Sequence, residues 1–372
     1  MAEGASFLMT VSYERLLQVL MLVTARIATG LPPIPMTKLL AISCAVALAA
    51  LTSFAQKPYP RGTMVVLPVE DKNLAGEACW SDPNIIGVNL RAAWISTEHV
   101  QGTFKWSQFD QGIALAQANN KFVVLTISAV HPPPWVTTAV KTWTNSLGKT
   151  CPYPWDANLH SFWNTLVRTM GQRYDSVSCV HGVDMWAGGT GGTAADGTGI
   201  DCLFAPTPVD CAALDTIAGG GVGSGNTLWK NACRTLCNMY VEAFPTTPCF
   251  LHPGLDYSNL DPQSMSDIAT WWLNLRSTGN SLFNNEFSVK KPRFLRSLGF
   301  IPWPNTNLQI TSINNGMFQT LGAIGSPLMG GQTLAQVFQN VQNIIAVQIY
   351  PSDPATDPGE NTIINFNHSV GL

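Results

Sequence analysis

Two clusters of side chains could act together in this sequence. Arg91, Trp94 and Glu98 follow one apolar run, and His131 and Trp135 follow the next. A guanidinium, an imidazole and a carboxylate bind polar groups or move protons on them. An indole offers a flat apolar face on which another ring can stack. Trp186 ends a later run, and Gln348 and Tyr350 end the last one. Carboxyl groups stand at Asp184, Asp196, Asp201 and Glu286. A pair of carboxyl groups that face each other can work as general acid and base.

The elements that must position these residues follow from periodicity. Ile85–Trp94 is apolar and rich in β-branched residues, bounded by Pro83 and Asn84, which predicts a buried strand. Trp106–Gln117 places Phe109, Ile113 and Ala116 at helical spacing. Lys121–Ser128 predicts a second buried strand. Strand, helix and strand in so short a span form a βαβ unit with parallel strands. In such folds the carboxyl ends of the strands carry the site. Further along, Ala157–Tyr174 predicts a helix with Leu159, Phe162, Trp163, Leu166 and Met170 on one face. Val177–Trp186 predicts a strand, followed by a Gly-rich insertion from Ala187 to Ser224. Thr227–Phe244 and Gln263–Ser277 predict helices, and Pro248–Leu251 a strand that leaves His252 and Asp256 at its end. Ser281–Phe287 and Arg293–Phe300 are strand candidates. Gln332–Asn343 and Ile344–Tyr350 predict the last helix and strand. Thr63–Leu67 is expected to be a strand covering the bottom of the fold.

A strand ending in Arg91 and Trp94, then Thr97-Glu98, Gly102-Thr-Phe-Lys-Trp106 and Phe109-Asp110, resembles the first βα unit of TIM-barrel glycoside hydrolases. The likeness is to the β-galactosidase and cellulase-like families, and Pro133-Pro-Trp135 after the second strand adds to it. It extends through Tyr350. The resemblance implies a single-domain (β/α)8 barrel over residues 56–372 that acts on carbohydrate. It implies no cofactor. It also implies Asn-Glu at the end of the strand after Arg173-Tyr174, where the Glu would be the acid/base. Ala187 and Gly188 stand there instead, and neither can move a proton. Gln348 holds a place that often carries Glu in these families.

Substitute carboxylates are Asp184 in the same strand, Asp196 and Asp201 in the Gly-rich insertion, and Glu286 in Phe283-Asn-Asn-Glu286. The catalytic candidates are Glu286 with Asp196 or Asp201. The candidates for binding a sugar are Arg91, Trp94, His131, Trp135, Trp186, Gln348 and Tyr350. Structural roles compete with these. Glu98 and Asp110 are expected to brace the first βα unit. Arg91 needs an anionic or carbonyl partner, and His131 can bond a backbone group. Trp135, Trp186 and Trp303 serve equally as core or as stacking platforms. Asp256, Asp353 and Asp357 lie in Pro-rich turns, where Asp bonds locally. The alternative to an enzyme is a catalytically silent barrel that still binds carbohydrate.

Composition narrows the classes. A formal net charge of −3 gives no basic face for nucleic acid. Gly188-Gly-Thr-Gly-Gly192 lacks the Gly-Lys-Ser/Thr ending of a phosphate loop. Met36-Thr-Lys38, the apolar Leu39–Leu51 and Ser53-Phe-Ala55 match a signal peptide, with cleavage after Ala55 and export from the cell as the expectation. That apolar stretch is short for a membrane span, which needs about 20 residues. Beyond it lie Cys79, Cys151, Cys179, Cys202, Cys211, Cys233, Cys237 and Cys249. An even number behind a signal peptide predicts disulfides, with Cys202 and Cys211 able to close a loop. The oligomeric state has no signature in the sequence.

Overall fold

In a computed structural model the described residues are 57–128, 132–144, 148, 150–185, 208–251, 267, 271, 316–320, 323–325, 333–339 and 344–372. The chain enters through β1 (Gly62–Val69) and β2 (Gly87–Ala93). A single turn, α1 (Trp94–Thr97), precedes α2 (Ser107–Ala118) and β3 (Phe122–Ser128). After α3 (Pro134–Ala139), a small antiparallel pair forms from β4 (Thr142–Thr144) and β5 (Thr150–Pro152). Then come α4 (Ala157–Tyr174), β6 (Val180–Met185), α5 (Pro208–Ile217), α6 (Ser224–Ala243) and β7 (Cys249–Leu251). The last elements are β8 (Gly316–Gln319), α7 (Leu334–Gln339), β9 (Ile344–Ile349) and α8 (Asn361–Ser369).

Seven of these strands form one curled parallel sheet in the order β7-β6-β3-β2-β1-β9-β8. The predicted βαβ unit is present, with β2 and β3 parallel and in register from Gly87↔Phe122 to Ala93↔Ser128. The last strand lies beside the first, with Gly62 opposite Ala346 and Val65 opposite Ile349. Sequential neighbours therefore run outward from β1 on one side and backward from β9 on the other. The expected role of Thr63–Leu67 is corrected here. It is the middle of β1, a member of the main sheet and not a cover, because Met64, Val65, Val66 and Leu67 are all fully buried or nearly so. A strand buried on both faces reads as a continuous apolar run.

Side-chain alternation divides the sheet into two faces. Val88, Leu90 and Ala92 of β2, with Leu125 and Ile127 of β3, join the large core shared with the helices. Met64, Phe122, Val124, Phe250, Met317 and Ala346 form a second cluster on the inner face. Asn89 and Arg91 are in phase with this inner face, as are Thr126, Asp184 and Gln348. The inner face is thus apolar toward the amino ends of its strands and polar toward their carboxyl ends.

Helix α4 begins at the predicted residue for a local reason. Asp156 accepts hydrogen bonds from the backbone N–H of Asn158 at 2.9 Å and of Leu159 at 3.0 Å. Its other oxygen accepts from Lys141 N at 3.1 Å. Asp156→Ala should therefore cost about 0.5–2 kcal/mol, read as a lower urea midpoint, and Asp156→Ser should cost less.

The lead-in before β1 closes the amino end of the sheet. Lys57 Nζ donates to Val177 O at 2.7 Å and to Val180 O at 3.1 Å. Burial lowers the pKa of this ammonium to about 8. Nearby, the His181 ring stacks on Phe122 with centroids 5.0 Å apart. Burial first, and the Lys57 charge second, lower the His181 pKa to about 4. An unfolded His takes its proton near 6.5, while the folded one resists until about 4. Stability should therefore fall as the pH drops through that window. Denaturation midpoints at pH 7 and pH 5 check this, and the drop should shrink in His181→Phe.

The cysteines correct another expectation. Cys79, Cys151, Cys179, Cys211, Cys233, Cys237 and Cys249 carry thiols, and no disulfide joins them; Cys202 lies outside the described residues. Six of the seven are buried, and they pack as small apolar side chains within the core. Burial pushes the Cys79 thiol up to about 12 and raises Cys237 and Cys249 as well. Their spacing reflects core positions on helices and strands, which a count of cysteines does not reveal.

Candidate functional site

The polar half of the inner face is built by one residue from each of four strands, β6, β3, β2 and β9, with β1 lying between the last two. Asn89 Nδ2 donates to Gln348 Oε1 at 3.0 Å, linking β2 to β9. Thr126 Oγ1 on β3 lies 2.9 Å from Asn89 Oδ1 and 3.2 Å from Asp184 Oδ2 on β6. Gln348 Nε2 reaches Met317 Sδ at 3.3 Å. All four polar side chains are buried, with Asn89, Thr126 and Gln348 at 0% exposure and Asp184 at 2%. They form a buried polar chain below the carboxyl ends of the strands, in which the one Thr126 hydroxyl hydrogen is shared between two acceptors.

Arg91 stands one inward step above Asn89. Its Nε donates to Leu67 O at 2.5 Å, which ties the end of β2 to β1. Burial, more than any other influence, lowers its pKa, and the nearby Tyr350 and Asp184 act in the opposite direction. Tyr350 follows β9 and Ser128 ends β3. Glu70, just past β1, accepts from Ala93 N at 2.7 Å. Arg91, Ser128, Glu70 and Tyr350 thus gather where the strands end.

The expected brace behind this mouth is present in detail. Trp94 Nε1 donates to Glu98 Oε2 at 2.9 Å, and Gly102 N donates to Glu98 Oε1 at 2.8 Å. Trp135 Nε1 donates to Glu98 O at 3.0 Å. The Trp94 ring meets Trp135 and Trp163 edge-on, with centroids 6.1 Å and 5.0 Å away. Asp110 pairs with Arg173 at 2.7 Å and accepts from Tyr174 Oη at 2.8 Å.

Two sequence candidates are therefore placed differently from the expectation. Trp94 is at 0% exposure and offers no open face to a sugar. It is in phase with Val88, Leu90 and Ala92, so it turns toward the helices. Gln348 also has no exposed surface and belongs to the buried chain beneath the mouth. Trp135 is half-buried, and Arg91 and Tyr350 also keep exposed surface. Asp353 accepts from the backbone N–H of Ile324 at 2.7 Å and of Tyr350 at 2.8 Å. Asp357 caps α8, with Thr362 N at 2.9 Å and Thr362 Oγ1 at 2.8 Å. These are the local bonds expected of Asp in turns. Among the described residues no group of His, Cys, Asp and Glu could hold a metal ion. His131, Trp186, Ala187, Gly188, Asp196, Asp201, Asp256, Glu286 and Trp303 lie outside the described residues. The strand candidates Ser281–Phe287 and Arg293–Phe300 lie there too.

Sequence reasoning missed Asn89 and Thr126 as members of the site. A signal was available, since each is a polar residue at the inward phase of an otherwise apolar strand. The short helices α5 and α8 and the strand β8 were missed as well.

No family model matches the chain, and no curated protein sequence matches it. Its fold has matches among solved structures. One is the catalytic domain of a β-amylase from Paenibacillus polymyxa, with a TM-score of 0.53 and 8% identity. The alignment covers 84% of this chain and 98% of that domain. At this identity the likeness concerns the fold, a mixed α/β architecture around a curled parallel sheet of the TIM-barrel kind.

Proposed function

We propose that this protein is a carbohydrate-active barrel of the glycoside hydrolase type, exported from the cell, with a saccharide held at the carboxyl ends of the strands. The observation that carries the reading is the inner face itself. It is apolar at one end and ends in Arg91, Ser128 and Tyr350 at the other, where ligands of parallel α/β sheets bind. The fold it shares with a β-amylase catalytic domain supports the saccharide. A closed eight-stranded barrel is the fold we infer, supported by the strand order. The free edges of the described sheet belong to β7 and β8, which are consecutive described strands.

As an enzyme the protein would hydrolyse a glycosidic bond with two carboxyl groups, an acid and a nucleophile or base. Glu286 with Asp196 or Asp201 are the candidates. A silent carbohydrate binder is the second reading, favoured by a specific observation. Each described carboxylate near the mouth already serves the fold: Glu70 holds Ala93 N, Glu98 holds Trp94 and Gly102, and Asp184 meets Thr126.

The test is to incubate the purified chain with aryl glycosides and polysaccharides, beside Glu286→Gln, Asp196→Asn and Asp201→Asn. Turnover abolished by one of these substitutions establishes the hydrolase. Saturable binding without turnover establishes the binder. Absence of both turnover and binding across the panel rules out both readings.

A further inference from the structure

Arg91 has more hydrogen-bonding capacity than the described residues use. A guanidinium presents five N–H donors in a rigid fork and keeps its charge in proteins. Among the described residues Nε donates to Leu67 O. Among the described residues the two terminal nitrogens make no hydrogen bond and no ion pair. Asp184, opposite Thr126 in the register of β3 and β6, lies close enough for its charge to be felt and meets Thr126. The side chain is half-buried on the inner face, opposite Thr126 in the register of β2 and β3.

Placing a desolvated cation there has a cost that a neutral donor would avoid. Asn, Gln and Thr side chains could bond the hydroxyl groups of a neutral sugar, and this fold already places such residues one layer lower. A charge at this position suits a partner that is itself charged. The planar fork matches a carboxylate through two parallel hydrogen bonds. The chain as a whole is mildly acidic, at −3, so long-range attraction would not bring an anion here. Recognition would have to be local.

We propose that Arg91 recognises a carboxylate on the bound saccharide, so that the ligand is an acidic glycan containing uronic acid residues. This rests on the saccharide reading of the mouth given above. In the complex the two carboxylate oxygens face the terminal nitrogens of Arg91, with Nε still anchored to Leu67.

The experiment is calorimetric titration of the full chain with uronic acid oligosaccharides, each beside its carboxyl-reduced neutral form of the same length. Acetate and inorganic phosphate are titrated separately. The acidic forms should bind at least about tenfold more tightly than the reduced ones, and added salt should narrow the gap. Arg91→Gln should abolish the preference for the acidic forms. Arg91→Lys, which keeps the charge but loses the fork, should retain part of it. A matching urea midpoint for Arg91→Lys separates lost recognition from lost folding. Equal binding of acidic and reduced forms, or a preference that survives Arg91→Gln, overturns the proposal while leaving the saccharide reading standing. Arg91-dependent binding of acetate or phosphate, with no preference among glycans, marks a small-anion site and also overturns it. No binding of any glycan removes the saccharide reading as well.

Discussion

Gly171→Val should unfold the protein or cost about 3 kcal/mol or more in urea denaturation, among the largest effects of any single substitution. Gly171 lies on α4 where that helix packs against the end of α6. A Cβ at this position would run into the carbonyl oxygen and carbon of Ala243. Those are backbone atoms at the last residue of a twenty-residue helix, so no rotamer change can move them aside. Overpacking normally costs about 1–3 kcal/mol, and more where the neighbour is rigid. The crossing also buries Trp163, Met170 and Tyr240, which would lose contact if the helices separated. Gln172→Val, on the exposed side of the same turn, is the control. It shares the β-branched penalty but not the collision, and its midpoint should move by about 0.5 kcal/mol at most. Equal losses in the two variants would show that the close approach of the helices does not matter.

Asn89→Leu is the second large effect, expected at about 1–3 kcal/mol. The substitution places an apolar residue of similar size in the strand and removes two bonds at once. Gln348 Oε1 loses its donor and Thr126 Oγ1 loses its nearer acceptor, both at 0% exposure. Leaving a buried polar group unbonded costs about 1–3 kcal/mol each, whereas removing both partners of a bond can be nearly neutral. Adding Gln348→Leu to Asn89→Leu should therefore recover part of the loss. A double-mutant cycle in urea reads the coupling, and additive costs would mean that the four side chains do not act as a chain.

The first βα unit could be read because its determinants are local. Alternation, the turn residues Pro83 and Asn84, and the helical spacing of Phe109, Ile113 and Ala116 fixed its elements to within a residue or two. Helix α4 was legible to the residue because Asp156 supplies its cap. The structural role of Glu98 was also legible, since it lies beside its partners Trp94 and Gly102, whereas Asp110 finds Arg173 and Tyr174 across a long separation. What escaped the sequence was mostly long-range. The place of β1 depends on β9, whose residues lie about 280 positions away. The burial of Trp94 depends on one step of phase past the end of β2. The thiol state of the cysteines depends on where each sits in three dimensions. Asn89 and Thr126 look like interruptions of apolar strands until the strands are laid side by side. Helices α5 and α8 are short and flanked by Gly- or Pro-rich segments, where periodicity has little length in which to show itself.

The pairing of β1 with β9 also sets an order of events during folding. Backbone N–H of Thr63 donates to Asn367 Oδ1, a contact across 304 positions. Asn367 also donates to Asn84 O through its Nδ2. While the chain is being synthesised, β1 emerges before β9 and has β2 on one side, but its other edge stays open until β9 follows. Contacts of such high sequence separation slow folding, because the loop between them must be closed first. An open apolar edge is meanwhile free to pair with another chain. The C-terminal 29 residues, 344–372, therefore act as a latch on the whole sheet. A chain that stops before Ile344 should retain the βαβ unit and yet aggregate through the exposed edge of β1.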